Sequence, residues 1–151
     1  MLSIRPYLSS DFARVADIYL EAKQDELDFE DCAIEVIPLA QDEDRYPKFL
    51  ASNLFVCYED KKILGFCGYK NDFICWVYVD KSARGLGVGK LMMSFLLQEI
   101  AGTVSLQVTC ANKVARSLYS QMGFMPKEQM TVDYNRTDVL VERFELFRKT
   151  V

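Results

Sequence analysis

The sequence of 151 residues contains no histidine. Without an imidazole, the chain cannot build a Ser-His-Asp triad, a Cys-His dyad or a histidine metal site, and it has no histidine general base. Any catalytic group in this protein must therefore be a tyrosine, carboxylate, lysine, cysteine, serine or backbone dipole.

The sequence also has no C-x-x-C motif, and its cysteines are odd in number, five in total. This pattern argues against a disulfide framework and against a thiolate zinc site, so we expect no metal. Free cysteine is among the most buried residue types, and we expect most of the five to be small core residues. They are Cys32, Cys57, Cys67, Cys75 and Cys110.

Long apolar runs, glycine and proline are scarce as well. The longest stretch without a charge, 100–112, is too short and too polar to span a bilayer. The N-terminus lacks the basic and then apolar pattern of a secretory signal. With seven glycines, four prolines and half of its residues hydrophobic, the chain reads as a single globular domain over residues 1–151. We expect no membrane partner and a cytoplasmic location.

The charge is acidic overall and unevenly distributed. A net charge of −4 argues against a nucleic-acid partner, because phosphate binding needs a basic surface. Ten carboxylates lie between Glu21 and Asp44 against a single base, Lys23. One interpretation is that these acids coat solvated helix faces. The other is that these acids attract a cationic substrate into a funnel, while the rest of the chain is able to accommodate an anionic cofactor.

Apolar periodicity and turn residues predict a mixed α/β sheet. Helices are expected over about 11–23, 88–100 and 112–122, with one or two helical pieces before Ala51 that break at Pro38 and Pro47. The segment 73–79 is apolar throughout, as in a strand covered on both faces. Seven strands are expected, near 2–4, 54–59, 63–69, 73–79, 104–108, 130–134 and 139–148.

A glycine-rich loop, Arg84-Gly85-Leu86-Gly87-Val88-Gly89, lies between a predicted strand and a predicted helix. Unpaired N–H groups and the helix dipole make such a position an anion site, and glycines let a phosphate approach the main chain. A dinucleotide-binding loop would need glycine where Lys90 stands. A Walker loop would need glycine in place of Arg84 and Ser or Thr in place of Leu91.

Two motifs remain that match one family. Arg84, Gly87 and Gly89 match the pattern R/Q-x-x-G-x-G/A. The segment 112–124 matches N-x-x-A-x-x-(F/L)-Y-x-x-x-G-F and follows a predicted strand. On these motifs the chain resembles the GCN5-related N-acetyltransferase (GNAT) family. The resemblance extends from Leu2 to Phe124 and is sharp from about Phe73 onward.

The resemblance implies a single-domain GNAT fold: a mixed, mostly antiparallel sheet of about seven strands, flanked by helices, with the fourth and fifth strands splayed apart. It also implies acetyl-CoA as co-substrate. The pantetheine arm would pair with main-chain groups of Val77 and Val79, with Tyr78 also among the cofactor-binding residues, and the Val77 N–H would polarise the thioester carbonyl. The pyrophosphate would lie on the N–H groups of Arg84, Gly85, Leu86, Gly87, Val88, Gly89 and Lys90.

The second motif carries two further roles by resemblance. Asn112 would lie beside the cofactor, and Tyr119 would donate a proton to the departing CoA thiolate. Each residue also has a purely structural interpretation. Tyr119 suits an amphipathic core position, Asn112 suits a helix cap, and Arg84 suits a solvated loop.

The sequence departs from the family pattern at the residue that acts as the general base. Histone-type members carry a glutamate near the start of the fourth strand, where Phe73 stands here, and Asp72 is one residue out of phase. The base therefore stays unassigned among Glu35, Asp72, Asp133 and a water relay.

The expected function is an acetyl-CoA-dependent N-acetyltransferase that acts by direct attack of a primary amine, with a small cationic metabolite as acceptor. The alternative is a non-catalytic acyl-CoA-binding sensor or interaction module of the same fold. The predicted hairpin over 130–148 offers an edge for a homodimer.

Overall fold

The structure is a computed structural model that describes residues 1–149. Within these residues the chain forms seven strands and four α-helices. The strands are β1 (Ser3–Pro6), β2 (Asn53–Glu59), β3 (Lys62–Lys70), β4 (Phe73–Val79), β5 (Val104–Thr109), β6 (Met125–Tyr134) and β7 (Thr137–Leu146). The helices are α1 (Phe12–Leu27), α2 (Arg45–Leu50), α3 (Val88–Glu99) and α4 (Lys113–Gln121).

All seven strands belong to one sheet, in the order β1-β2-β3-β4-β5-β7-β6. Only β4 and β5 run parallel, and every other neighbouring pair is antiparallel. The predicted mixed, mostly antiparallel sheet is confirmed. β6 forms one edge of the sheet, so dimerisation through the β6–β7 hairpin stays a prediction.

The sheet separates two hydrophobic cores. On one face, α1 and α2 bury Ile18, Tyr19 and Phe49 against Phe66 and Trp76 of the sheet. On the other face, α3 packs over β3 and β4, and its methionines and Leu96 join a buried cluster that also includes residues of β5 and β7. Each amphipathic helix therefore covers one face, as its apolar spacing predicts. No helix within residues 1–149 combines the length and apolarity that a membrane crossing needs.

β4 and β5 separate soon after they meet, as expected. They pair only at Phe73↔Ser105 and Ile74↔Leu106. The separation begins where β4 carries an extra residue, Cys75, between its pairings of Ile74 and Trp76 with β3. Such a bulge bends a strand and shifts its side chains by one position. Accordingly, Ile74 joins the α3 core while Trp76 joins the α1 core.

Several local expectations need correction. The expected two-sided cover of 73–79 is wrong, because the bulge leaves Cys75 exposed beside the gap. Only Cys57 and Cys67 are buried, so most of the cysteines are not core residues. Pro47 does not break a helix but lies in the first turn of α2, where its missing N–H needs no acceptor.

Candidate functional site

The main chain of β4 faces the gap with unpaired groups. The Asp80 N–H donates to the Leu64 carbonyl oxygen at 2.8 Å. This bond determines which residues of β4 direct their main-chain groups toward β3. Because antiparallel pairs alternate, the N–H and C=O groups of Val77 and Val79 point away from β3. Pairing with β5 has already ended at Ile74. These groups are therefore free to pair with an extended ligand in the gap.

Two clefts meet at this gap. The cleft lined by Tyr19, Lys23 and Glu26 of α1, by α2 and by β7 has a volume of about 570 Å³, and we call it the Lys23 cleft. The cleft lined by Arg84–Lys90, α4 and β4 has a volume of about 630 Å³, and we call it the glycine-loop cleft. Residues common to both walls are Glu26, Ile74, Cys75, Trp76, Tyr78, Gln107 and Val108.

The glycine loop has the features of an anion site. Gly85 and Gly87 have φ angles of 81° and 85°, a left-handed conformation that favours glycine. A Cβ built on either residue would meet nothing within 4 Å. Among the described residues, no turn or cap hydrogen bond is donated by the N–H groups from Gly85 to Lys90, at the start of α3. Free amides in open space at a helix N-terminus suit a pyrophosphate.

Eleven of the twelve predicted site residues line the glycine-loop cleft, including Tyr78, Val88 and Gly89. The exception is Leu86, whose side chain is 60% exposed and lies outside the cleft wall. Arg84 lines the cleft, but its Nη2 lies 2.7 Å from Asp25 Oδ2 of α1. The guanidinium predicted to meet phosphate is therefore already paired with a carboxylate.

Asn112 and Tyr119 stand on the α4 side of the same cleft. Asn112 Oδ1 accepts a hydrogen bond from the Ala115 N–H at 3.2 Å, so Asn112 caps α4 as well as lining the cleft. The half-buried Tyr119 packs its ring against Phe124, and its hydroxyl makes no hydrogen bond with residues 1–149. Burial and, secondarily, the Glu26 charge raise the pKa of Tyr119 to about 12.

Glu26 is the carboxylate that sequence reasoning missed. The proposed bases Glu35, Asp72 and Asp133 are exposed and line neither cleft. The Glu26 side chain is only 19% exposed and lines both clefts. Its signal was available, because residues 19, 23 and 26 recur at helical spacing on the face that α1 turns to the sheet.

The Lys23 cleft is not the acidic funnel that the composition suggested. Of the ten carboxylates between Glu21 and Asp44, only Glu26 lines this cleft. Its other charged wall residues are cationic: Lys23, Arg45, Lys48 and Lys70. Lys23 Nζ lies 3.2 Å from Glu26 Oε2. Within residues 1–149, no group of three or more cysteine or acidic side chains is arranged to hold a metal ion.

Comparisons with known proteins agree with this geometry. The family model described as the acetyltransferase (GNAT) domain matches residues 51–126, just over half of the chain. No curated protein matches the chain in sequence.

Solved structures share its fold at low identity. A protein described as a GCN5-related N-acetyltransferase, aminotransferase class-II, from Rhodopseudomonas palustris has a TM-score of 0.82 and 21% identity, over 97% of this chain and 95% of that one. An N-acetyltransferase from Staphylococcus aureus Mu50 has a TM-score of 0.74 and 20% identity, over 97% and 98%. YncA from Salmonella typhimurium, solved with its cofactor acetyl-CoA, has a TM-score of 0.69 and 17% identity, over 97% and 93%.

Proposed function

Because the chain belongs to the GNAT acetyltransferase family, we propose that it transfers the acetyl group of acetyl-CoA to a primary amine. The observation that carries this proposal is the gap between β4 and β5. Free main-chain groups of Val77 and Val79 line the gap, the glycine loop opens at one end of it, and a second cleft meets it.

The residues of the glycine-loop cleft suit acetyl-CoA. The free N–H groups of Gly85–Lys90 would hold its pyrophosphate, and the main chain of Val77 and Val79 would pair with its pantetheine arm. Asn112 would lie alongside. When bound, acetyl-CoA supplies an activated acetyl thioester.

Three groups of the chain would act on the reaction. The Val77 N–H would donate to the thioester carbonyl oxygen, on which negative charge develops as the amine attacks. Glu26, at the junction of the two clefts, would accept the proton that the amine must lose. Tyr119 would donate a proton to the departing thiolate, since its pKa, raised by burial, keeps the phenol protonated at neutral pH.

Direct attack is favoured over a covalent acyl-enzyme. Cys75 is the thiol in the wall shared by both clefts, and although the residue is partly exposed, desolvation by its neighbours raises its pKa, which disfavours the nucleophilic thiolate. Its Sγ is also 3.5 Å from the Phe73 carbonyl oxygen, to which it donates. Direct attack by an amine in the Lys23 cleft requires no such thiolate.

The test follows the release of CoA thiol from acetyl-CoA in the presence of a panel of primary amines, with an amine-free reaction as the background. Sustained release above that background supports the transferase. Tight acetyl-CoA binding in calorimetry with no amine-dependent release would instead identify the acyl-CoA-binding module. Absence of both would remove the proposal.

Glu26→Gln tests the proton acceptor. We expect kcat to fall about 10²-fold with little change in acetyl-CoA affinity, because only proton transfer from the amine is lost. Glu21→Gln is the matched control, since Glu21 is an exposed residue of the same helix that lines neither cleft. Equal kcat values for the two variants would exclude Glu26 as the base.

A further inference from the structure

We propose that the acceptor is an α-amino acid with an apolar side chain, and that its carboxylate binds Lys23, Arg45 and the Tyr19 hydroxyl in the Lys23 cleft. This inference rests on the proposed function, because it names the substrate class of the same site. It replaces the cationic acceptor that the overall composition suggested with an acceptor that carries both charges.

Two partly buried cations converge on one wall of the cleft. Lys23 Nζ lies 5.5 Å from the centroid of the Tyr134 ring, and Arg45 Cζ lies 4.4 Å from the same centroid. The side chains of Lys23 and Arg45 are 13% and 23% exposed. Although burial lowers the pKa of Lys23, Glu26 and Tyr19 outweigh it and the net pKa is raised, so Lys23 is charged at neutral pH. Lys23 already pairs with Glu26, and Arg45 pairs through Nη1 with acidic neighbours, but each cation keeps further N–H donors that a bound anion could accept from.

An unpartnered hydroxyl lies among these cations. Tyr19 is fully buried and lines the cleft, yet within the described residues its hydroxyl has no hydrogen-bond partner. Leaving a buried donor unsatisfied is costly, and such groups are rare in native proteins. Lys23 follows Tyr19 by one turn on the same face of α1, and Arg45 lines the same cleft. A bound carboxylate would give this hydroxyl an acceptor.

The charge balance favours an anion with a single charge. Four cations line the cleft with Glu26 as the one acid. Outside the lining, Asp42 and Asp44 lie 3.6 and 3.7 Å from Arg45, and Asp44 also pairs with Lys48 at 3.3 Å. With Asp42 and Asp44 included, four cations stand against three carboxylates, which leaves a net charge of +1. One carboxylate would neutralise this charge, whereas a phosphate dianion would leave an excess negative charge.

The position of Glu26 indicates where the amine lies relative to the carboxylate. Lys23 Nζ and Glu26 Oε2 are 3.2 Å apart, so the anion site adjoins the proposed proton acceptor. An acceptor that uses both needs its amine and its carboxylate close together, as on the α-carbon of an amino acid. The remaining wall offers an apolar surface for the side chain: Leu27, Val132, Val139 and Val141.

The experiment compares three matched acceptors with acetyl-CoA: L-leucine, L-leucinamide and isopentylamine. All three carry the same side chain. They differ only in the further substituent on the carbon that bears the amine, which is a carboxylate, an amide or a hydrogen, respectively. We expect kcat/KM for leucine to exceed the other two values by about 30-fold, the typical worth of a charge-assisted hydrogen bond network in a shielded site. Equal or better turnover of isopentylamine would overturn the proposal.

Variants locate the effect in the cleft. Lys23→Met should raise KM for leucine about 30-fold and abolish the preference over isopentylamine, with unchanged affinity for CoA. Lys62→Met, which makes the same charge change at the exposed start of β3, should leave both parameters unchanged.

If Lys23→Met fails to fold, Tyr19→Phe serves instead, because it removes only a hydroxyl without a partner. Tyr19→Phe should raise KM for leucine about 10-fold without lowering Tm.

A binding measurement separates this proposal from the proposed function. Titration of the CoA-loaded protein with N-acetyl-L-leucine should show binding that Lys23→Met weakens. If no amine is acetylated but this binding is present, the transferase proposal fails and the carboxylate site stands. If amines are acetylated but N-acetyl-L-leucine does not bind, or Lys23→Met leaves its binding unchanged, the carboxylate site is refuted. Absence of both refutes both.

Discussion

Arg84 Nη2 of the glycine loop lies 2.7 Å from Asp25 Oδ2 of α1, so these two residues connect the loop to the first helix across the mouth of the cleft. Their side chains are 43% and 35% exposed, and such a surface pair contributes little to stability. We expect the pair to affect cofactor binding instead, because Asp25 holds the guanidinium that the family resemblance assigns to phosphate and places a negative charge near it.

Asp25→Asn is therefore expected to tighten CoA binding about 5-fold at low salt, since it frees Arg84 and removes a repulsive charge. Calorimetric titration with CoA at low and high salt measures the effect, which should shrink at high salt. Asp17→Asn makes the same change on an exposed residue of α1 that lines neither cleft, and should not alter affinity. Unchanged affinity in both variants would mean that Arg84 does not contact phosphate.

Gly87→Asp is expected to weaken CoA binding by about 10²-fold or more, because it places a negative charge where the pyrophosphate would approach the free amides. The matched control is Gly87→Asn, which has nearly the same shape and tolerates the positive φ of this position equally well. The open space around a Cβ at Gly87 spares both variants a steric clash, and both carry the same strain of a positive φ. Similar CoA affinities for the two variants would show that the pyrophosphate does not bind at this loop.

Tyr119→Phe should lower kcat about 10²-fold with little change in the KM for acetyl-CoA, because it removes the proton donor and keeps the ring. The Tyr119 hydroxyl has no hydrogen-bond partner among residues 1–149, so Tm should not fall. Tyr69→Phe, at a half-buried tyrosine outside both clefts, is the control. A kcat equal to that of the control would assign Tyr119 to the core.

The Tyr119 phenol should remain protonated where ordinary tyrosines ionise. Burial raises its pKa to about 12, against about 10 for a free phenol. Its stabilising contribution is therefore fully present below about pH 10 and is lost as the pH rises toward 12. Ultraviolet titration of the wild type against Tyr119→Phe isolates this single ionisation. A difference signal centred near pH 10 would contradict the raised pKa.

Much of the fold could be predicted from the sequence because its signals are local. β-rich runs separated by polar turns located β2, β3 and β4, and helical spacing ending at glycine located α3. The segment before Ala51 was poorly predicted, since α2 has only six residues and gains its stability from burial of Phe49.

The candidate site was predicted on one side only. The glycine loop, Asn112 and Tyr119, which line one cleft, could be proposed from the sequence because the family motifs are contiguous. Glu26 was missed because its neighbours in the site come from α2, β4 and β5, far away along the chain. The ten carboxylates around it gave no reason to single it out, since charge composition does not say which side chains face a cleft.

By itself, the sequence predicted an anion site at the glycine loop, because glycines before a helix expose backbone amides wherever that helix packs. Only the tertiary structure decided the character of the second cleft. Folding brings Lys23, Arg45 and Lys70 from three separate elements to one cleft, while most of the neighbouring acids remain outside it. A charge acts through distance and shielding, and both are fixed by packing rather than by order along the chain.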